Sequence, residues 1–294
     1  MNRMSMQPED HYLEIGIRAH LRLWSPDPSR ADQSPPYILL HGLSSNARTW
    51  DQVAARLADS GRRSAAIDQR GHGLSGKPED GYDFGSITRD LEHILQQLDW
   101  EAPILVGQSW GGNVLLEFAA RHPGLAAGYV FVDGGFINLG KRGTWEEVKT
   151  ELRPPDLIGT PRPQITDRIR HMHPDWSEEG IQGTLGNFEI LEDDTIRPWL
   201  TLDRHLQILR AMYEQDPVAL YPKVQEPVLI CAADDGGDRM PFKRAQIQDA
   251  LAVIDQAQVL WFPGSAHDIH VDQPEQLAHA LLAFEKVLSE LSRK

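Results

Sequence analysis

Short apolar runs recur along the chain at lengths that suit buried strands. YILL (37–40), RRSAAID (62–68), PILVG (103–107), GYVFVD (128–133), PVLICAA (227–233) and QVLWF (258–262) are each bounded by glycine, proline or polar residues. Between them the pattern changes to helical spacing. Residues 50–57 and 113–121 fit helices, and Ile87, Leu91, Ile94, Leu95 and Leu98 mark another. Leu277, Leu281, Phe284, Leu288 and Leu291 recur at spacings of 4, 3, 4 and 3 and predict a last amphipathic helix. Strands alternating with helices predict a mostly parallel sheet covered on both faces. Residues 11–24, HYLEIGIRAHLRLW, alternate apolar and polar about a glycine and predict an antiparallel hairpin ahead of it.

The rhythm stops from residue 136 to 222. That stretch is rich in proline and charge, carries Trp145, Trp176 and Trp199, and shows no strand pattern; HLQILRAMY (205–213) reads as helix. The domain expectation is a core of residues 1–135 and 223–294 interrupted by a helical cap at 136–222. Such an insertion belongs over the carboxyl ends of the strands, where open parallel sheets bind ligands.

Composition narrows the function. At 294 residues, 40% hydrophobic and 24% charged, the chain has the makeup of one globular enzyme-sized unit. Its formal charge of −14 repels phosphate backbones and anionic lipid, which argues against nucleic-acid and membrane partners. The single cysteine, Cys231, permits no internal disulfide and sits in an apolar run that suits a core residue. MNRMSMQPEDHYLE contains no apolar h-region, and no run approaches a membrane span, so a cytoplasmic protein is expected.

The chemistry centres on GQSWGG (107–112). G-x-S-x-G between a strand and a helix is the pattern of a nucleophile elbow, a sharp corner that holds the serine out. Gly107 and Gly111 let strand and helix pack closely, and the Ser109 hydroxyl then points into the cleft at a helix start, where the dipole favours a developing anion. A serine needs a base. His267, in the loop PGSAHDIH after the strand QVLWF, falls on the same sheet edge; His270, three residues on, reads as loop packing. The oxyanion needs two donors, assigned to the backbone N–H groups of Trp110 and of Leu43 in HGLSSNARTW.

With these residues in place the chain resembles the α/β-hydrolase family, in particular its serine hydrolases with a helical cap. HG (41–42), DQRGHGLS (68–75), GQSWGG (107–112) and GSAHDIHVDQPEQL (264–277) match the family's stations in order, across nearly everything outside the cap. The resemblance implies structural roles for Asp68 and Arg70, and little consequence for Gln108, where many members have histidine. It also implies that the Trp110 side chain narrows the pocket. The acid that orients the histidine stays open. The family's usual place, after PVLICAA, offers Asp235, one residue out of step, with Asp234 and Asp238 beside it; an alternative place, after GYVFVD, offers Asp133.

The expected activity is hydrolysis of a carboxylic ester of a small apolar substrate through an acyl-enzyme. Trp110, Phe136, Trp176 and Trp199 are candidates for the pocket wall. A serine at the elbow disfavours the alkyl-ester chemistry that dehalogenases and epoxide hydrolases of this fold run on aspartate. A lactonase, a C–C bond hydrolase, an acyltransferase and a non-catalytic small-molecule receptor share this frame, although Asp268 stands where C–C hydrolases often carry an aromatic residue. No HExxH, CxxC cluster or dinucleotide-type glycine loop occurs, so no metal or organic cofactor is expected, and DDGGD reads as a solvated loop. Monomer and homodimer both stay open.

Overall fold

The computed structural model describes residues 7–30, 34–291 and 293. The first six residues of the N-terminal stretch read for a leader lie outside that set. Eleven strands are described: β1 (Glu9–Glu14), β2 (Arg18–Trp24), β3 (Tyr37–Leu40), β4 (Ser64–Asp68), β5 (Ile104–Gln108), β6 (Gly128–Val132), β7 (Thr160–Pro161), β8 (Phe188–Ile190), β9 (Thr195–Pro198), β10 (Val228–Asp234) and β11 (Ala257–Pro263). Eight form one sheet in the order β1-β2-β4-β3-β5-β6-β10-β11. The β1–β2 hairpin and the β2–β4 pair are antiparallel, and every later pairing is parallel.

Period-two alternation builds two cores from the same strands. Ile38 and Leu40, Leu105, Tyr129 and Phe131, and Ile230 and Ala232 face one cluster. Tyr37 and Leu39, Ile104 and Val106, Val130 and Val132, and Leu229 and Cys231 face the other. Runs apolar at every position are therefore what a strand covered on both sides requires. On the first face lie α2 (Phe84–Leu98) and α3 (Trp110–Arg121), and on the second α1 (Asp51–Asp59) and the last helix, α11 (Pro274–Leu291). The Tyr37 hydroxyl donates to Glu285 on α11 at 2.8 Å, and Arg62 pairs with the same carboxylate at 2.7 Å, which closes that face.

Between β6 and β10 the chain forms α4 (Trp145–Glu151), α5 (Arg162–Met172), α6 (Glu178–Leu185), α7 (Leu202–Glu214) and the short α8 (Pro217–Leu220). The insertion also contains strands that the sequence pattern does not reveal, a small antiparallel sheet in the order β7-β9-β8. Its own cluster of Ile165, Ile169, Ile181, Leu185 and Ile196 lets it hold shape apart from the main core. It is fastened to the loop after β3. Asn46 Nδ2 donates to the Gly183 carbonyl at 2.9 Å, and Ser44 Oγ lies 3.0 Å from His205 Nδ1 on α7. After β10 come α9 (Met240–Leu251) and, past β11, α10 (Ile269–Asp272). Among the described residues no helix is long and apolar enough to cross a membrane.

Candidate active site

Ser109 is the corner between β5 and α3. Its backbone sits at φ 53°, ψ −118°, a region that side-chain-bearing residues rarely occupy and that costs on the order of 1–3 kcal/mol. Glycines make the corner possible by removing side chains where backbones meet. A Cβ on Gly107 would lie 2.5 Å from the Gly111 carbonyl carbon, and one on Gly111 would lie 2.7 Å from the Leu40 and His41 oxygens. The loop after β6 presses in from the other side. A Cβ on Gly134 would overlap the Ser109 carbonyl oxygen and stand 2.8 Å from its nitrogen. Ser109 is partly exposed, and among the described residues its hydroxyl has no hydrogen-bond partner.

The helix begins at Trp110, so the Trp110 N–H is one of the donors a first turn leaves without an intrahelical acceptor. The loop after β3 lies against the same corner, because a Cβ on Gly42 would come 3.2 Å from Ser109 Cβ. Within that loop Ser44 spends its N–H on His72 Nε2 at 3.2 Å and Ser45 spends its own on the Gly42 carbonyl at 3.2 Å, whereas Leu43 N–H has no acceptor among the described residues. His41 braces the loop from behind. Its Nδ1–H donates to the Gly42 carbonyl at 2.7 Å, and its Nε2 accepts from the Gln69 N–H at 3.1 Å. Burial holds both His41 and His72 below the usual histidine range.

His267 and Asp133 meet although 134 residues separate them. Asp133 Oδ2 accepts from His267 Nδ1 at 2.7 Å. Asp133 follows β6, is 4% exposed and takes a left-handed backbone at φ 44°. Its Oδ1 accepts the Ala233 N–H at 3.0 Å, and Lys243 Nζ lies 3.0 and 3.1 Å from its two oxygens. Burial alone would raise the Asp133 carboxyl; the bond to His267 and the charges of His267 and Lys243 reverse this and hold it below the usual range. Desolvation pushes His267 down, but the bond to Asp133 and the charges of Asp133 and Asp268 win, so His267 sits above its ordinary value. With Nδ1–H committed to Asp133, the Nε2 nitrogen is the one left to take a proton.

Asp235 does not reach the histidine. It is exposed, and its Oδ1 accepts the Gly237 N–H at 2.9 Å in its own turn. Asp234 pairs with Arg244 at 2.7 Å, and Asp238 is exposed. This loop is turned outward, while Asp133 is the carboxylate bonded to the imidazole.

Two residues of the quoted motifs make contacts that the sequence pattern does not spell out. Gln108 Nε2 donates to Asp268 Oδ1 at 3.2 Å and to the His267 carbonyl at 3.3 Å, tying the elbow strand to the histidine loop. The small effect expected of Gln108 thus gives way to a bridging one. Asp68 is a buried hub that accepts from Ala47 N–H at 2.7 Å, Leu74 N–H at 2.8 Å and His20 Nδ1 at 2.7 Å, and these bonds together with the charges of His20 and His41 overcome burial to hold its carboxyl down at about 2.

The aromatic candidates are scattered. Trp110 is fully buried, with its ring stacked on His72 at 5.3 Å, and Phe136 is buried in the same core cluster. Trp110 therefore narrows no solvent-facing wall. Trp176 stacks on His173 at 3.7 Å against the insertion's own cluster, and Trp199 carries Lys77 Nζ 4.6 Å from its ring centre. His270 is packed on Trp50 at 4.6 Å. Among the described residues no group of three or more histidine, cysteine or acidic side chains is placed to hold a metal ion.

An eight-stranded, mostly parallel sheet with this elbow defines the α/β-hydrolase fold. Comparison with known proteins gives the same answer: the model of the alpha/beta hydrolase family matches residues 37–280, and the chain belongs to that family. A 2-(acetamidomethylene)succinate hydrolase of Mesorhizobium japonicum is 25% identical over 250 residues, 85% of this chain and 87% of that protein. A putative non-heme haloperoxidase of Mycobacterium phage D29 is 39% identical over 98 residues, so the match covers 33% of this chain and spans only 35% of that protein's length. Among solved structures, E-2-(acetamidomethylene)succinate hydrolase superposes with a TM-score of 0.78 at 22% identity, covering 95% of this chain and 99% of that one, a likeness of fold.

Proposed function

We propose that the protein is a serine hydrolase that cleaves a carboxylic ester or related acyl bond of a small substrate through an acyl-enzyme. The observation that carries the reading is the 2.7 Å bond from His267 to the buried Asp133, on the sheet edge where Ser109 is held in its strained corner. Asp133 fixes the imidazole so that Nε2 faces the cleft as a base. The Ser109 hydroxyl gives its proton to Nε2 as Oγ attacks the carbonyl carbon, and the carbonyl oxygen becomes an anion held by the Leu43 and Trp110 N–H groups. Collapse of the tetrahedral adduct expels the alcohol, which takes the proton from Nε2. Water then repeats the sequence on the acyl-enzyme: it gives a proton to Nε2, attacks the acyl carbon and releases the acid as Ser109 is reprotonated.

A second reading concerns the bond cleaved. The relative matched over 85% of this chain is named for hydrolysis of 2-(acetamidomethylene)succinate, which favours a small acid carrying an acylated nitrogen as an alternative to an ester. The test is turnover of p-nitrophenyl acetate, butyrate and octanoate, and of 2-(acetamidomethylene)succinate, by the wild type and by Ser109→Ala. A wild-type burst that Ser109→Ala removes supports the acyl-enzyme, and the preferred substrate sets the class. Equal inertness on all four refutes both readings. Lactone and diketone substrates then come next, followed by thermal shifts with unconsumed ligands for a receptor.

A further inference from the structure

Among the described residues, few charged or titratable groups face His267. Asp133 reaches it from the end of β6, Asp268 and His270 belong to its own loop, and Lys243 comes from α9. His270 is held neutral, because burial takes it down to about 4. Asp268 is occupied by Gln108. Lys243 is the only positive side chain in this set, and all three of its N–H bonds have acceptors nearby: the two Asp133 oxygens and the Ala233 carbonyl at 2.9 Å. The lysine is 19% exposed and its carboxylate partner 4%, so the pair is shielded from most of the solvent.

A carboxylate that orients a catalytic histidine does its work by being negative. Here Asp133 Oδ2 is shared between the imidazole and an ammonium. We propose that Lys243 is a positioning residue for this pair: it pins Asp133 under the imidazole and offsets part of its charge, so that His267 gives up its proton more readily and stands ready as a base near neutral pH. The proposal rests on the reading of His267 as the base. The shared oxygen puts the ammonium within about 6 Å of Nδ1; at a separation of that size and a dielectric between those of protein surface and water, removing the charge moves a titration by about one pH unit. The sign is fixed: without Lys243, Asp133 holds the imidazolium more strongly, and the His267 midpoint rises.

The experiment is an NMR titration of the His267 ring in the full chain, with His267→Gln to assign the resonance. The wild type is compared with Lys243→Met, Lys243→Gln and Lys243→Arg. Lys243→Gln keeps a hydrogen bond to Asp133 and serves if the methionine variant does not fold. The expected result is a midpoint about one unit higher in the Met and Gln variants and close to wild type in Lys243→Arg. The acid limb of kcat/KM on the best substrate should move by the same amount while the alkaline plateau holds. An unchanged midpoint in a folded variant without the charge overturns the proposal. If the midpoint moves but no substrate is turned over, the electrostatic role stands and the hydrolase reading is what fails.

Discussion

Asp133→Asn and Asp235→Asn form a matched pair, because each removes one charge from one of the two loops the sequence offered for the acid. In Asp133→Asn the amide oxygen can still accept the Ala233 N–H and face Lys243. The amide nitrogen then faces His267 Nδ1 and, being a donor, forces the proton onto Nε2. The ring presents an N–H where Ser109 needs an acceptor, and the imidazolium formed during attack loses the carboxylate 2.7 Å away. Loss of the right tautomer and of that charge in a triad of this kind lowers kcat by about 10⁴, or roughly 5 kcal/mol of barrier. Asp235→Asn touches only an exposed turn and should leave kcat/KM within about two-fold. The assay is kcat and KM from pH 6 to 10 on the best p-nitrophenyl ester, with thermal melts to show that both variants fold. An active Asp133→Asn beside an inactive Asp235→Asn would refute the assignment and imply that the loop after β10 swings inward.

Gly134→Ala should be far costlier than a methyl group suggests, because the new Cβ meets the backbone of Ser109, which has no rotamer to yield. The expectation is about 1–3 kcal/mol of lost stability, a melting temperature several degrees lower, and lost ester turnover; a variant with wild-type Tm and activity would refute the packing argument. His270 has no hydrogen-bond partner on either ring nitrogen among the described residues, and burial lowers it to about 4. A histidine depressed in the fold binds its proton more readily when unfolded, so stability is lost as pH falls from about 6.5 towards 4, by about 2 kcal/mol at pH 5. His270→Leu should therefore gain on the wild type in urea midpoint between pH 7 and pH 5, and a constant gap between the two would contradict the buried neutral ring.

The sheet was legible because its strands obey a local rule: a strand covered on both faces is apolar at every position, and YILL, PILVG and PVLICAA are that. The helix after the elbow was legible except at its start. Trp110, Gly111 and Gly112 carry little helix propensity, and the turn begins there because the Ser109 corner imposes it. The small sheet of the insertion left no trace in the sequence. FEI and TIRP are too short and too mixed to show a period of two. The acid was ambiguous for a different reason. Both loops end a strand on the same sheet edge and both carry aspartate, so only the side-chain directions after β6 and β10 decide between them. Lys243 and Gln108 were invisible as site residues because Lys243 belongs to no motif and Gln108 fills a variable position of the elbow pattern; each matters through a partner more than a hundred residues away.

The segments after β3 and β6 meet Ser109 through glycines, Gly42 and Gly134, while Gly107 and Gly111 let β5, α3 and the end of β3 close around the corner. Glycine in a structured segment costs conformational entropy, about 1 kcal/mol apiece relative to alanine. The corner itself costs a similar amount again. Such costs persist only where surrounding structure over-determines the conformation, and here it does: Ser109 N–H donates to Val132 at 2.9 Å, and its carbonyl accepts from Gly112 at 3.0 Å and Asn113 at 3.3 Å. The hydroxyl is the one polar group of Ser109 left without a partner among the described residues. A turn that served only to reverse the chain would gain nothing from pinning every backbone atom of a strained serine while leaving its side chain free. A nucleophile gains from both, because a pinned backbone aims the side chain and an unpartnered hydroxyl has no competing hydrogen bond to give up before it attacks a carbonyl carbon.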